Sequence, residues 1–153
     1  MWEESRRHLN SPYNYQIDIE RRLVITTAWG AVTGAEALEH QRRLLNDPAF
    51  ERDFFHFLDF ADVTEIHVDR ATVAQLARIE VFSSQSRRAF FAPSLLAFGM
   101  SRMFIAFREG SGGQEQMKVF GDRKEALQWL GISSFDQVSI SSPGAGHLLR
   151  ASG

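Results

Sequence analysis

With 153 residues, of which 44% are apolar and 24% charged, the chain predicts a single soluble globular domain with one hydrophobic core. The formal net charge of −2 provides no basic face for nucleic-acid phosphates, and no apolar run is long enough to cross a bilayer. The lack of cysteine excludes disulfides, thiol catalysis and thiolate metal sites, and it favours a reducing cytoplasm.

The first third of the chain predicts an extension and a β-hairpin. Residues 1–12 are polar and lack the apolar segment of a secretory signal, so we interpret them as an N-terminal extension. Residues 13–19 alternate apolar and polar side chains, and a β-branched run follows from residue 23 to 29 after a charged turn. This pattern is typical of two antiparallel strands, and Gly30 is expected to close the hairpin.

The middle of the chain predicts a helix, a central strand and a second helix. Thr33 and Glu36 form a capping box, and the helix that they open should end near residue 46. The nearly continuous apolar run 54–60 favours a strand covered on both faces, with His56 as a buried, hydrogen-bonded, neutral side chain. Residues 62–67 are expected to form a polar connection, and Asp69 should cap a helix from residue 70 to about 83.

The last part predicts two strand–helix units and a tail. A strand over 88–92 precedes Pro93 and a helix over 95–107, which carries Leu96, Met100, Met103 and Phe107 on one side. Residues 116–120 alternate as an edge strand should, and a second capping box at Asp122 opens a helix to residue 130. Residues 132–153 are rich in Ser and Gly and are interpreted as a tail. The resulting order β-β-α-β-α-β-α-β-α predicts an α/β fold, a mixed sheet with helices packed on it.

Several motifs of this pattern resemble one protein family. They are the leading hairpin, the Leu58-Asp59 strand end, the run Phe98-Gly-Met-Ser-Arg-Met103 after Pro93-Ser94, and the closing Glu125-Ala-Leu-Gln-Trp-Leu-Gly131. Over residues 13–131 the chain is similar to the SpoIIAA-like branch of the STAS superfamily, also described as STAS/SEC14-like. The resemblance implies that fold and a non-enzymatic binding or regulatory role.

One departure from the family pattern bears on regulation. Anti-sigma antagonists of this superfamily carry Asp-Ser-Ser-Gly at the start of the helix after the central strand, and a serine of this motif is phosphorylated by a partner kinase. Here Asp69 matches the aspartate, but Arg70 and Ala71 replace the two serines and Thr72 stands in place of the glycine. The resemblance therefore does not imply a phosphorylation switch of that kind.

Seven residues are candidates for a ligand- or partner-binding surface, on the helix 94–109 and on the loop 62–72. Arg102 could bind an anion through its guanidinium fork, or form a structural ion pair. Gly99 within a helix indicates close approach of a ligand, a partner or, more often, a neighbouring element. The full set is Ser94, Phe98, Gly99, Arg102, Ile105, Asp62 and Asp69.

Three function classes follow from these observations. The first is a non-enzymatic module that acts through protein or small-ligand contacts as a homodimer, because Leu95, Phe98 and Ile105 would otherwise face water. The second is a carrier of an apolar or lipid-like ligand. The third is an enzyme that uses Asp59, Asp62 and His67, although no catalytic motif, cofactor motif or metal-ligand spacing supports it.

Overall fold

Residues 12–132 are described by a computed structural model. The strands are β1 (Tyr13–Asp18), β2 (Leu23–Thr33), β3 (Phe55–His67), β4 (Arg87–Phe91) and β5 (Gln116–Phe120). The helices are α1 (Gly34–Leu45), α2 (Arg70–Arg78), α3 (Leu95–Gly110) and α4 (Arg123–Trp129). The predicted order of elements is confirmed.

The five strands form one mixed sheet in the order β1-β2-β3-β4-β5. β1 and β2 pair antiparallel as the predicted hairpin, and the other three pairs are parallel. Parallel neighbours need crossover connections, and right-handed crossovers between strands that advance in one direction place their helices on the same face. Helices α1, α2 and α3 accordingly lie together on one face of the sheet.

The opposite face is covered by the short helix α4. This last segment packs on side chains of four strands, among them Phe57 and Phe91. Its contacts come from Ala126, Leu127 and Leu130. Side chains alternate along β3, so the neighbours of Phe57 point to the other face, where Phe54 packs with Phe82. The two cores make β3 a strand buried on both faces, as its apolar run predicts.

Local capping signals determine where the helices begin. The Thr33 hydroxyl accepts from the backbone N–H of Glu36, and the Glu36 carboxylate accepts from the Thr33 N–H at 3.0 Å. Asp69 caps α2 through the N–H of Thr72 at 2.8 Å, and Asp122 accepts from Glu125 at the start of α4. These predictions depend on residues three apart in sequence; the three N-caps and the capping box at Thr33 are confirmed, whereas at Asp122 only the bond from the Glu125 N–H is present.

Strand lengths differ from the sequence expectation. Residues 62–67 do not form a connection but continue β3, and Gly30 does not end the hairpin, because β2 runs on to Thr33. Gly30 has a φ of 66° and lies between register shifts in the β2–β3 pairing, which is the geometry of a bulge. The bulges let β2 and β3 remain paired over a much longer ribbon than their apolar segments suggest.

The apolar side of α3 is only partly buried. The helix buries Ala97, Ser101 and Arg108, whereas Leu96 is half exposed and Leu95 is 94% exposed. Arg108 can be buried because a carboxylate reaches it from another element, which sequence periodicity cannot show. Helix α2 also ends earlier than expected, at Arg78.

The predicted extension (residues 1–12) and tail (132–153) lie outside the described residues, apart from Pro12 and Ile132. Ile132 packs against the core under α4. Among residues 12–132, no helix is both long and apolar enough to cross a membrane.

Candidate functional site

A cavity of about 110 Å³ lies between the sheet and the three helices on its first face. Side chains of α1, α2 and α3 form its outer wall, and side chains of β3 and β4 form its floor. Most of the lining is aliphatic or aromatic, including Leu58, Phe90 and Phe104. Polar side chains enter this lining at a few defined positions, and they determine what the cavity can bind.

Four buried polar side chains form a hydrogen-bonded chain at one side of the cavity. The hydroxyl of Thr26 on β2 lies 2.8 Å from Nε2 of His56 and 3.1 Å from Nε2 of His40. Nε of Arg88 on β4 lies 3.3 Å from Nδ1 of His56. All four side chains are at most 5% exposed, so these bonds replace solvation that the groups lose on folding.

The donors determine the tautomers. Arginine Nε can only donate, so Nδ1 of His56 accepts and the proton of this imidazole lies on Nε2. His56 Nε2 therefore donates to the Thr26 oxygen. The single hydroxyl proton of Thr26 is then donated to His40, whose Nε2 accepts. Each bond fixes the direction of the next, and both imidazoles are neutral.

Burial and nearby cations keep both imidazoles neutral well into the acidic range. Burial, and then the guanidinium groups of Arg43 and Arg88, lower the pKa of His40 to about 3. The pKa of His56 lies well below its ordinary value for the same reasons, with burial first and Arg88 second. The expectation that His56 is a buried neutral histidine agrees with this geometry.

A buried charge cluster adjoins the histidines. Glu115, just before β5, accepts from Arg88 Nη1 at 3.2 Å and from Arg108 Nε at 3.0 Å. Arg108 also donates to the carbonyl oxygen of Ala77 at 3.2 Å, which ties α3 to α2. The pKa of Arg88 falls to about 10 because burial disfavours its charge more than Glu115 supports it. The Arg88 guanidinium also stacks 4.7 Å from the ring centre of Phe82.

Two further polar atoms of the cavity wall are unpartnered within the described protein. Ser101 Oγ on α3 and Gln41 Oε1 on α1 are both buried, and neither has a hydrogen-bond partner. Ser101 is only 3% exposed. A buried hydroxyl and a buried amide oxygen without partners are costly in an apolar wall, unless something in the cavity bonds to them.

Three of the predicted site residues share a second, shallower groove. Phe98, Arg102 and Ile105 of α3 face Met117 and Lys118 of the edge strand β5 across a space of about 350 Å³. Arg102 is exposed. Phe98 and Ile105 are half buried, so the groove presents apolar surface beside a guanidinium group.

The other four predicted site residues lie elsewhere. Ser94 and Asp69 act as N-caps, of α3 and α2 respectively. Asp62 is exposed on β3 and pairs across the sheet with Trp29. At Gly99 a Cβ would meet nothing within 4 Å, so the expected close packing on a neighbouring element within this chain is wrong.

The three residues of the enzyme hypothesis do not converge. Asp59 is buried and bonds Arg123 at 2.5 Å, whereas His67 is exposed and contacts Glu65 at 3.2 Å. Eight residues along one strand separate Asp59 from His67, a distance of about 25 Å. Over residues 12–132, no group of three or more His, Cys, Asp or Glu side chains could hold a metal ion.

Sequence reasoning missed most of the cavity wall, although one signal was present. Arg88 lies inside a strand predicted to be buried on both faces, and a buried arginine almost always has a partner. The strand register places it beside His56, on the same face. An acidic partner for Arg88 was therefore to be expected, but no pattern indicates that it would be Glu115, 27 residues away.

Comparison with known proteins gives the fold and no activity. No family model matches the chain, and no curated protein matches it. A solved structure from Shewanella loihica PV-4, described as an uncharacterized protein from the DUF3478 family with a SpoIIAA-like fold, is similar to the chain at 16% identity and a TM-score of 0.47. The match covers 77% of this chain and 91% of that one. Its description names the fold that the sequence motifs resemble.

Proposed function

We propose that the chain is a non-enzymatic binding module whose site is the cavity between the sheet and helices α1, α2 and α3. The observation that carries this proposal is an apolar cavity of about 110 Å³ with two buried, unpartnered polar atoms in its wall. The ligand is a compact and mainly apolar molecule. The module would contribute to regulation by binding this ligand, without catalysing a reaction of it.

The size of the cavity favours a small ligand over a lipid. A cavity of about 150 Å³ lined by aliphatic and aromatic side chains holds a benzene ring, whereas pockets for drug-sized ligands measure roughly 300–1,000 Å³. At about 110 Å³ the cavity is smaller than this, so its ligand is at most about the size of one six-membered ring. A lipid-like ligand, the second hypothesis, would require α3 to move away from the sheet and break the bonds that hold Arg108.

The state of the buried histidines also supports binding rather than catalysis. Both ring nitrogens of His56 are engaged, by Arg88 and by Thr26, and the low pKa of His40 makes it a poor base near neutral pH. Without cysteines, we place the module in the cytoplasm.

Filling the cavity should abolish ligand binding. Ala97 lies in the wall of the cavity and is 2% exposed, so Ala97→Leu would put three more heavy atoms into the space. In the unaltered protein, benzene at ten times its dissociation constant should raise the free energy of unfolding by about 1.4 kcal/mol, a melting-temperature rise of about 4 °C. In Ala97→Leu, thermal unfolding should show no such rise.

Gly99→Ala is the matched control, two residues away on the same helix. Its new methyl group meets nothing within 4 Å, and alanine has the higher helix propensity, so the variant should gain about 1 kcal/mol and keep the response to benzene. A benzene response of equal size in Ala97→Leu would place the site outside the cavity and contradict the proposal.

A second candidate function rests on the groove between α3 and β5. Its apolar side chains and the outer edge of β5, which pairs only with β4 in the described sheet, favour a contact with another protein. We propose that a second copy of the chain binds in this groove, which would make the protein a homodimer. Asp62 and Asp69, on the exposed side of β3 and at the start of α2, remain candidates for contact with a different partner.

Phe98→Glu tests the homodimer. A carboxylate in an apolar contact between two copies would be desolvated without a partner, so the variant should be a folded monomer by light scattering at concentrations where the unaltered chain is a dimer. Circular dichroism should show unchanged helix content, because Phe98 is only half buried in the single chain. A folded dimer of the Phe98→Glu variant would show that the groove is not part of the dimer interface.

A further inference from the structure

The buried charges beside the cavity do not balance. The side chains of Arg88, Arg108 and Glu115 are at most 5% exposed, so two buried guanidinium groups share one carboxylate. Glu80 lies 3.8 Å from Arg108, but its side chain is 67% exposed, and water screens most of its charge. Both buried imidazoles are neutral. The buried cluster therefore carries one positive charge in excess.

This excess charge meets the cavity at Arg88. Arg88 lines the cavity, whereas the other two charged side chains of the cluster do not. The central carbon of its guanidinium lies 4.7, 5.6 and 5.4 Å from the ring centres of Phe82, Phe90 and Phe104. All three rings line the same cavity, and they stabilise a cation without supplying a counter-ion.

Arg88 also retains hydrogen-bond donors for a ligand. Its bonds to other described residues use Nε, 3.3 Å from Nδ1 of His56, and Nη1, 3.2 Å from a carboxylate oxygen of Glu115. The two N–H groups of Nη2 take no part in these bonds. Burial lowers the pKa of Arg88 to about 10 despite the presence of Glu115, so the protein supports this charge only in part. An anion in the cavity would supply the missing partner.

The rest of the wall determines the body of such an anion. The lining is mostly aliphatic and aromatic, so only a small part of the ligand can be charged. Phosphate and sulfate have several acceptor oxygens, and this wall would leave most of them without donors. A carboxylate matches the fork of a guanidinium group, and a short hydrocarbon chain fits the remaining space.

We infer that the cavity binds the anion of a short-chain monocarboxylic acid, with its carboxylate at Arg88. The inference rests on the proposed function and names the class of its ligand. Butyrate has as many non-hydrogen atoms as benzene, so it lies at the upper size limit set by a cavity of about 110 Å³.

Butyrate and its neutral amide, butyramide, test the inference because they have nearly the same size and differ in charge. Their dissociation constants are measured by calorimetry on the full chain at pH 7. We expect butyrate to bind roughly tenfold more tightly, because hydrogen bonds between two charged groups are stronger than those to a neutral group. Ala97→Leu fills the cavity without changing a charge, and it should abolish the binding of both probes.

Two substitutions test the role of Arg88. Arg88→Met removes the cation and keeps an unbranched apolar side chain, so the variant should lose the preference for butyrate. Arg78→Met is the matched control, because Arg78 is exposed on α2 and does not line the cavity. It changes the net charge equally and should retain the full preference. Equal loss of the preference in both variants would overturn the assignment to Arg88.

A second measurement does not depend on how the Arg88 variant folds. Calorimetry of butyrate binding to the unaltered chain, in two buffers with different ionisation enthalpies, reports the protons taken up on binding. At pH 7 we expect no uptake, since butyrate is an anion in solution and stays one beside Arg88. Uptake of one proton for each butyrate would show that the neutral acid binds, and it would overturn the inference.

The results also separate this inference from the proposed function. If butyrate and butyramide bind equally and Ala97→Leu blocks both, the inference is overturned and the cavity remains a site for compact apolar molecules. Binding of benzene without binding of butyrate has the same meaning. If benzene, butyrate and butyramide all fail to bind, both proposals are overturned.

Discussion

Replacing Glu115 by glutamine should destabilise the protein by about 3–5 kcal/mol, since the change removes the buried anion that two arginines share. Glu115 is 1% exposed, and it lies within 3.2 Å of nitrogens of both Arg88 and Arg108. The glutamine amide would also direct N–H groups at guanidinium donors. Urea unfolding monitored by circular dichroism gives the loss directly.

Glu80→Gln is the control, because it removes a carboxylate from the same Arg108 at the surface. Glu80 is 67% exposed and lies 3.8 Å from Arg108, a geometry in which ion pairs contribute about 0–1 kcal/mol. The two variants should differ by at least 2 kcal/mol. Equal and small losses would mean that the buried cluster does not stabilise the fold in the way its geometry indicates.

Acid should destabilise the protein before its carboxylates titrate, because two histidines are neutral in the fold. The native pKa of each lies below the unfolded value of about 6.5, so below pH 6.5 the unfolded chain binds protons that the folded chain does not. Stability from these groups is therefore complete above pH 6.5 and falls as the pH falls. Between pH 7 and pH 5 the expected loss is about 2 kcal/mol for each histidine, about 4 kcal/mol for both.

Denaturant unfolding between pH 7 and pH 5 measures how the free energy of unfolding changes with pH. Single substitutions show which histidine causes the change. His40→Gln should retain about half of the loss, whatever its stability at pH 7. His67→Gln is the matched surface control, since the His67 side chain is 60% exposed in the folded state. An unaltered pH dependence in His40→Gln would show that this imidazole takes up its proton in the fold over the same pH range as in the unfolded chain, contrary to its place as an acceptor from Thr26.

Local patterns account for what the sequence could predict. The helix starts at Thr33, Asp69 and Asp122 rest on side chains and N–H groups three residues apart, and the alternation along β3 places His56 correctly. The order of elements follows from where these signals begin and end. Each of these features depends on neighbours in sequence, so a single chain contains the information.

Features that depend on distant residues were not predictable in the same way. The face that α3 buries is decided by Arg108 meeting Glu115 and the carbonyl of Ala77, not by the most apolar stripe of the helix. The extension of β3 over residues 62–67 depends on pairing with residues 29–33. The polar sequence of this segment does not predict that pairing. The cavity wall combines side chains of seven helices and strands and could be identified only from the fold.

The sequential order of the strands has a consequence for how the chain folds during synthesis. N-terminal segments fold first, so each strand can join the edge formed by the strand before it, and β5 arrives last. Glu115 immediately precedes β5, and it brings the carboxylate for Arg88 and Arg108. A nascent chain that ends at α3 holds two arginines without their anion. The buried charge cluster therefore forms late, after β5 has been synthesised.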